Sequence, residues 1–204
     1  MPRVLVMAFA KESDVKYLVY VALVLLLAAI VPASLQAREI GGVTLPDRIE
    51  VDGHSLVLNG AGIRTKFIFD VYAGGLYLES PCHEAVQVIE KNAPMLVRMH
   101  FIYDGISPEK MQHGWQKGFT RLAPEAGPEL RKAMERFKSM FTATVHENDI
   151  YDISWLPESG LAVRFNNRLL GRINSLALKR VLFTIWFGPD PADEDLKEGM
   201  LGSK

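Results

Sequence analysis

Two polar residues inside a strand-rich segment are the first candidates for chemistry. The run from Leu56 to Leu78 is rich in Val, Ile, Phe and Tyr, yet it contains Arg64 and Tyr72. A guanidinium presents a fixed fork of donors that matches a carboxylate at two points, and a phenol hydroxyl can add one more hydrogen bond to the same anion. Together they predict a site for the head group of an acid. The alternative is that Arg64 is a turn residue paired with an exposed acid, and that Tyr72 is a core aromatic.

The pair can act on one ligand only if the segment bends. Were Arg64 to Tyr72 one straight strand, their Cα atoms would lie about 26 Å apart at ~3.3 Å per residue, too far to share a carboxylate. Four glycines flank the pair, and glycine inside a strand is typical of a bulge, a bend or a close approach by another group. They are Gly60, Gly62, Gly74 and Gly75.

Established catalytic and metal-binding motifs are missing from the sequence. It contains no G-x-S-x-G elbow, no H-E-x-x-H and no Walker loop. The five histidines lack short metal-ligand spacing, and the acidic cluster 193–195 is expected to face the positive end of a helix dipole rather than a metal. Cys82 is the single cysteine and is expected to be structural. We therefore predict no metal and no cofactor.

The elements around the pair are predicted to be strands, then helices, then a strand meander. Predicted strands are Val43–Leu45, Arg48–Val51, Ser55–Asn59, Phe67–Glu79, Met95–Tyr103, Asp149–Leu156, Gly160–Phe165 and Leu169–Ile173. Predicted helices start at Ser80-Pro81 (ending near Asn92), Ser107-Pro108, Pro128, Ser175 and Asp193. The second helix has an apolar face that includes Trp115 and Phe119. The fourth, Ser175–Phe187, is apolar on nearly every side and is predicted to pack most deeply on the sheet.

These segments resemble the chalcone isomerase family, and within it the bacterial exported chalcone-isomerase-like proteins. The resemblance rests on G-A-G-I-R at 60–64, V-Y-A-G-G-L-Y-L at 71–78, Ser107–Phe119 and Val181–Gly202. It implies an α+β open-faced sandwich, in which a large curved antiparallel sheet carries helices on one face. It also implies a cleft between sheet and helices that holds flavonoids in the plant enzymes or fatty acids in the non-catalytic relatives.

The resemblance further implies roles for single residues. The arginine that matches Arg64 contacts the ligand in the isomerases and in the fatty-acid-binding relatives, and the position of Tyr72 is threonine in the plant enzymes. A tyrosine and an asparagine of the plant site match positions near Ser107 and Gly114, which carry neither. A helix threonine or serine falls near Ile185. Because most of the catalytic set is absent, the resemblance implies ligand binding above isomerisation.

We accordingly predict four ligand-binding residues, of which the first two are also the candidates for catalysis. They are Arg64, Tyr72, Trp115 and Thr184. If Arg64 does not hold the head group, the next basic residues to consider are Lys66, Arg98 and Arg164.

The first 37 residues predict a secretory signal, followed by one domain over residues 38–204. Lys16 precedes an uncharged run, Tyr17–Ala37, whose apolar core is shorter than the roughly 20 residues of a spanning helix. We expect cleavage after Ala37 and a periplasmic location, with membrane contact only through this segment. The alternative is an anchor formed by residues 17–37. The formal net charge of −1 gives no reason to expect a nucleic-acid partner.

Three functions stay open for this domain. The first is binding of a fatty acid or a similar amphipathic carboxylate in the cleft. The second is an isomerase, an intramolecular lyase acting on a chalcone-like or other enone substrate, with Arg64 stabilising a developing oxyanion and Tyr72 as donor. The third is a non-enzymatic envelope interaction protein, which a cleft filled by Trp115 and Phe119 would favour.

Overall fold

The computed structural model describes residues 37–203, together with Lys16 and Tyr20. Residues 37–203 belong to one compact unit. The predicted signal lies almost wholly outside the described residues, so cleavage after Ala37 stays a prediction. Within the described part of the chain, no helix is both long enough and apolar enough to cross a membrane.

Seven antiparallel strands form a curved sheet whose strand order follows the chain. The strands are β3 (Arg48–Val51), β4 (His54–Lys66), β5 (Phe69–Leu78), β6 (Met95–Phe101), β7 (Ile150–Leu156), β8 (Gly160–Phe165) and β9 (Arg168–Ile173). Two further strands, β1 (Ala37–Ile40) and β2 (Val43–Pro46), pair separately as a ribbon. Side chains of β2 pack on Ala61 and Ala73. The sequence did not predict β1.

Five helices are described, and the main core lies between them and one face of the sheet. They are α1 (Ala85–Glu90), α2 (Pro108–Leu122), α3 (Pro128–Lys138), α4 (Leu176–Phe187) and α5 (Glu194–Leu201). Helix α4 buries seven residues, which confirms it as the deeply packed helix. The predicted α+β fold, a curved antiparallel sheet with helices on one face, is confirmed. The predicted helix from Pro81 to Asn92 is wrong at its ends, since α1 is shorter.

A tight hairpin between β4 and β5 supplies the bend that the sequence required. Strand β5 begins at Phe69 rather than at Phe67, because Phe67 and Ile68 form the turn and Phe67 has a φ of 59°. The two strands then run side by side, and Arg64 is paired directly with Tyr72. A register irregularity follows immediately, between Arg64 and Thr65. The eight-residue separation in sequence thus becomes a cross-strand neighbour pair.

Helix α5 lies almost on the backbone of β4, which confirms the close approach that the glycines predicted. A Cβ atom on Gly60 would lie 2.3 Å from the carbonyl oxygen of Gly199, and one on Gly62 would lie 2.8 Å from that of Leu196. No side chain fits in either place. The Asn59 amide also donates to the Met200 carbonyl at 3.0 Å. These contacts fix the strand that carries Arg64.

Candidate ligand-binding site

A large cavity lies between the sheet and the helices. Its volume is about 1110 Å³, just above the ~300–1,000 Å³ typical of small-molecule sites. Strands β4, β5 and β6 form one wall, helices α2 and α4 form the other, and the segment after α4 closes one side. Arg64, Tyr72 and Trp115, three of the four predicted binding residues, line it.

Arg64 stands on the sheet wall beside Tyr72. Its guanidinium carbon lies 5.8 Å from the centre of the Tyr72 ring, within the range of a cation–π contact. Its Nε atom is buried and has no hydrogen-bond partner. No carboxylate in the described part of the chain forms an ion pair with Arg64. A buried donor without an acceptor costs free energy, and an acceptor brought by a ligand would remove that cost.

Tyr72 is held in place by the opposite wall. It is fully buried, and its hydroxyl oxygen accepts a hydrogen bond from the Trp186 Nε1 at 3.0 Å. Burial raises the pKa of the Tyr72 phenol, while the positive charge of Arg64 and the hydrogen bond from Trp186 act in the opposite direction. The phenol therefore stays protonated at neutral pH. Its hydroxyl proton is left to serve as a second hydrogen-bond donor beside the Arg64 guanidinium.

Apolar side chains form the deeper walls of the cavity. Met99 and Phe101 come from β6, Trp115 from α2 and Ile185 from α4, and all four are buried. The Trp115 ring packs edge-on against the Trp186 ring, with centroids 5.6 Å apart. These side chains border the cavity and leave its volume open. The filled cleft that would favour a purely interacting protein is therefore not what the structure contains.

Basic side chains surround the mouth. Lys110, Lys117 and Arg121 come from α2, and Lys66 comes from the end of β4. Arg121 forms an ion pair with Asp190 across the rim. Sequence analysis missed this basic edge, because it followed only the apolar face of α2. The signal was present, since Lys110 and Lys117 are seven residues apart and lie on one side of a helix.

Thr184 is the predicted binding residue that lies outside the cavity lining. Its hydroxyl donates to the Arg180 carbonyl at 2.7 Å, one turn back in α4. The neighbouring Ile185 lines the cavity in its place. Trp186 was not predicted as a site residue, because an all-round apolar helix gives no periodic signal for the face that meets a ligand.

The three positions implied by the resemblance for isomerase chemistry offer no proton-transfer group to the cavity. Gly114 lines it without a side chain, and Ile185 lines it with an aliphatic one. The Ser107 hydroxyl does not line it and accepts the backbone N–H of Lys110 at 3.4 Å, as the N-cap of α2.

Two of the alternative head-group residues are already paired elsewhere. Arg98 donates through Nε and Nη2 to both oxygens of Asp152, at 2.8 Å each. Arg164 pairs with Asp52 at 2.7 Å. Neither arginine lines the cavity, whereas Lys66 does.

The acidic cluster serves a helix end, as the sequence indicated. The Asp193 carboxylate accepts the backbone N–H groups of Leu196 and Thr65, at 2.9 and 3.0 Å, so it caps α5 and ties it to β4. Within residues 37–203, no group of acidic, histidine or cysteine side chains could hold a metal ion.

Comparison with known proteins gives a family, a curated relative and a solved structure. A family model described as chalcone isomerase-like matches residues 37–202. Fatty-acid-binding protein 1 of Arabidopsis thaliana is 22% identical over 203 residues, covering 79% of this chain and 72% of that protein. The crystal structure of an Arabidopsis thaliana fatty-acid binding protein superposes with a TM-score of 0.70 at 20% identity, covering 82% of this chain and 97% of that one. The structural likeness establishes the fold.

Proposed function

We propose that this chain, which belongs to the chalcone isomerase-like family, binds a fatty acid or a similar amphipathic carboxylate in the cavity under α2 and α4. One observation carries the proposal. Arg64 presents a guanidinium without an ion-pair partner, among the described residues, on the wall of a cavity of about 1110 Å³. Such a site has a place for a charged head and a larger place for an apolar chain.

The carboxylate and the acyl chain of such a ligand would contact different residues of the site. Arg64 and the Tyr72 phenol supply donors to a carboxylate, and charge-assisted hydrogen bonds are roughly twice as strong as neutral ones. Met99, Phe101 and Ile185 supply the apolar surface that an acyl chain needs. Fatty acids are also the ligand class named for the relative and for the solved structure of similar fold.

Binding is favoured over catalysis by the residues at the positions that the resemblance implies for the isomerase reaction. An isomerase acting on an enone needs groups that move a proton or orient a phenolate, whereas Gly114 and Ile185 provide neither. Tyr72 is a buried neutral phenol, which can donate a hydrogen bond but does not act as a general base at neutral pH. We expect cyclisation of a hydroxychalcone, followed by absorbance, to proceed no faster than without protein. Turnover that disappears in Arg64→Ala would instead establish an enzyme.

Calorimetry with palmitate tests the head-group site. Arg64→Ala should weaken palmitate binding roughly ten- to a hundredfold, because a hydrogen bond to a charged group contributes about 1.5–3 kcal/mol. Arg131→Ala, on the exposed surface of α3, is the matched control and should bind as the wild type does. Tyr72→Phe should cost less than Arg64→Ala, because it keeps the ring.

A neutral ligand sharpens the same test. Hexadecanol has the same chain without the carboxylate, so the wild type should prefer palmitate and Arg64→Ala should lose the preference. Equal palmitate affinity in the wild type and in Arg64→Ala, with circular dichroism confirming the fold, would remove Arg64 from the site. Lys66 would then be the basic residue of the lining to test next.

We also propose that the domain acts after export to the periplasm, on the strength of the uncharged run from Tyr17 to Ala37. N-terminal sequencing of the protein from the envelope fraction should find Arg38 as the first residue. A first residue before Lys16 would contradict cleavage and favour the anchor alternative.

A further inference from the structure

The tip of the β4–β5 hairpin is an exposed apolar projection. Phe67, Ile68 and Phe69 have exposed fractions of 91%, 85% and 51%. We call residues 67–69 the hairpin tip. Soluble proteins normally place polar or small residues in such turns, and three consecutive apolar residues in solvent indicate a surface that meets something else.

The backbone of the tip strengthens this interpretation. Phe67 has a φ of 59°, in the left-handed region that favours glycine or asparagine. An aromatic residue there is unfavourable both for the backbone and for its contact with water, so the turn is not optimised for the isolated fold. Residues under such strain cluster where a protein meets its ligand or its surroundings.

The tip is continuous with the cavity mouth. Phe67 and Phe69 line the cavity, and so does Tyr103, whose ring lies edge-on to that of Phe69 at 5.5 Å. Lys66, Lys110 and Lys117 line the same cavity and outnumber its acidic residues, Glu109 and Asp190, the second of which is paired with Arg121. In a bilayer, anionic head groups lie outside the acyl chains. An apolar projection could enter the acyl region while the neighbouring lysines contact the head groups.

We propose that the hairpin tip inserts into the surface of an anionic lipid bilayer, so that the cavity opens towards the lipid. The inference rests on the proposed function, since the ligand would then pass between membrane and cavity without crossing water. It differs from the expectation that membrane contact is limited to the N-terminal segment. Occupancy by a second copy of the chain is less favoured, because the lysines of the rim would face each other.

The expected attachment is weak and reversible. Each lysine close to an anionic surface strengthens binding by roughly fivefold, and a small apolar insertion adds a similar modest factor. The whole chain has a formal net charge of −1, so any attraction to anionic lipid must come from a local basic surface. A carrier that must leave the membrane again needs this kind of contact.

A local probe separates insertion of the tip from any attachment through the N-terminal run. In the full chain with Cys82→Ser, an environment-sensitive fluorophore is attached to Ile68→Cys, or to Val86→Cys as the control. Val86 is another largely exposed apolar residue, on α1, with an exposed fraction of 71%, and it does not line the cavity. Vesicles contain phosphatidylcholine with or without phosphatidylglycerol.

The proposal expects a blue shift at position 68 that is larger with phosphatidylglycerol, and none at position 86. No shift at position 68, or an equal shift at both positions, would overturn it. A shift at 68 that appears without vesicles and grows with protein concentration would identify a second copy as the occupant and would also overturn it.

An unlabelled variant distinguishes this inference from the proposed function. Ile68→Ser lies outside the cavity lining, so it should bind palmitate in solution as the wild type does. It should slow transfer of a fluorescent fatty acid from phosphatidylglycerol vesicles roughly three- to tenfold, with Val86→Ser as the control. Normal palmitate binding with unchanged transfer would refute the membrane contact alone. Absence of palmitate binding in the wild type would refute the proposed function, and position 68 would still report insertion.

Discussion

Two cations inside this molecule have opposite surroundings. Lys179 of α4 is completely buried, and its ammonium donates to the carbonyls of Val88, Ile89 and Lys91 at 2.9, 2.7 and 3.0 Å. Arg64 stands beside an open cavity with its Nε unpaired. All the hydrogen-bond donors of the Lys179 ammonium have acceptors within the protein, whereas the Arg64 Nε has none among the described residues.

The difference separates residues that stabilise the fold from residues kept for a ligand. The three ammonium donors of Lys179 are all used, and they take up carbonyls at the end of α1 that the helix itself cannot satisfy. The Arg64 Nε has no partner among the described residues, so removing this side chain should affect binding more than folding.

The largest effect is expected where the satisfied cation is removed. Lys179→Met should lower the free energy of unfolding by about 3 kcal/mol, because the buried carbonyl of Val88 and the partly buried carbonyls of Ile89 and Lys91 lose a charged donor at once. Urea denaturation measures the loss, and Lys132→Met on the exposed surface of α3 is the control. A loss below about 1 kcal/mol would mean that burial of the charge had offset its hydrogen bonds, and the contrast with Arg64 would fail.

Asp52 is a second charged group whose partners all lie within the protein, and its contribution to the free energy of unfolding should depend on pH. The hydrogen bond from Arg172 and the charges of Arg172 and Arg164 hold the pKa of Asp52 below its ordinary value. The folded state therefore favours the carboxylate, and its stabilising contribution is present above about pH 4 and is lost as the pH falls towards the folded-state pKa.

The variant Asp52→Asn isolates this contribution. Asp52 has a φ of 48°, which asparagine tolerates, so the turn is preserved. Urea denaturation should show the variant less stable by about 1 kcal/mol at pH 6, as is typical of partly exposed ion pairs, and the difference should shrink towards pH 3.5. A difference that stays constant with pH would exclude the carboxylate as its source.

The unsatisfied cation should contribute little to stability. Arg64→Met keeps the length of the side chain and removes an unpaired buried donor, so the free energy of unfolding should change by less than about 1 kcal/mol. The same protein should have lost most of its preference for palmitate over hexadecanol. A stability loss as large as that of Lys179→Met would show that Arg64 serves the fold.

The smallest effect concerns the helix wall of the cavity. A Cβ atom on Gly114 would meet nothing within 4 Å, so Gly114→Ala should stabilise α2 by about 0.5 kcal/mol and leave palmitate binding unchanged. Gly118→Ala is the contrasting variant on the same helix, because its added Cβ atom has no free space and would lie 2.7 Å from the Ile185 Cδ1. If Gly114→Ala blocks the ligand, the acyl chain runs along that turn of the helix.

Local signals predicted the elements well where no distant contact intervened. The serine and proline at 107–108 start α2 as expected, with the Ser107 hydroxyl as its cap. The same pair at 80–81 does not start α1, because Asn59 accepts the backbone N–H of Cys82 at 2.7 Å and the ring of His83 contacts the Leu201 carbonyl. These contacts come from distant parts of the chain, so no local pattern could indicate them.

The site was predictable in its residue types and not in its geometry. Arg64 and Tyr72 were identified because an arginine is unusual in such an apolar run. Their pairing depends on a turn made of Phe67 and Ile68, neither of which is a turn-forming residue. The bonding of Lys179 was equally hidden, because nothing near it in sequence indicates three carbonyls about 90 residues away.

The glycine contact between β4 and α5 has a consequence for the order of folding. Asn59 and Met200, which bond across it, are 141 residues apart. Contacts at such separation pay the entropy of closing a long loop before they contribute, and they slow folding. During synthesis, the strand that bears Arg64 remains without its helical cover until α5 has been made. The strand that positions Arg64 is therefore fixed late, only after the last described helix has been made.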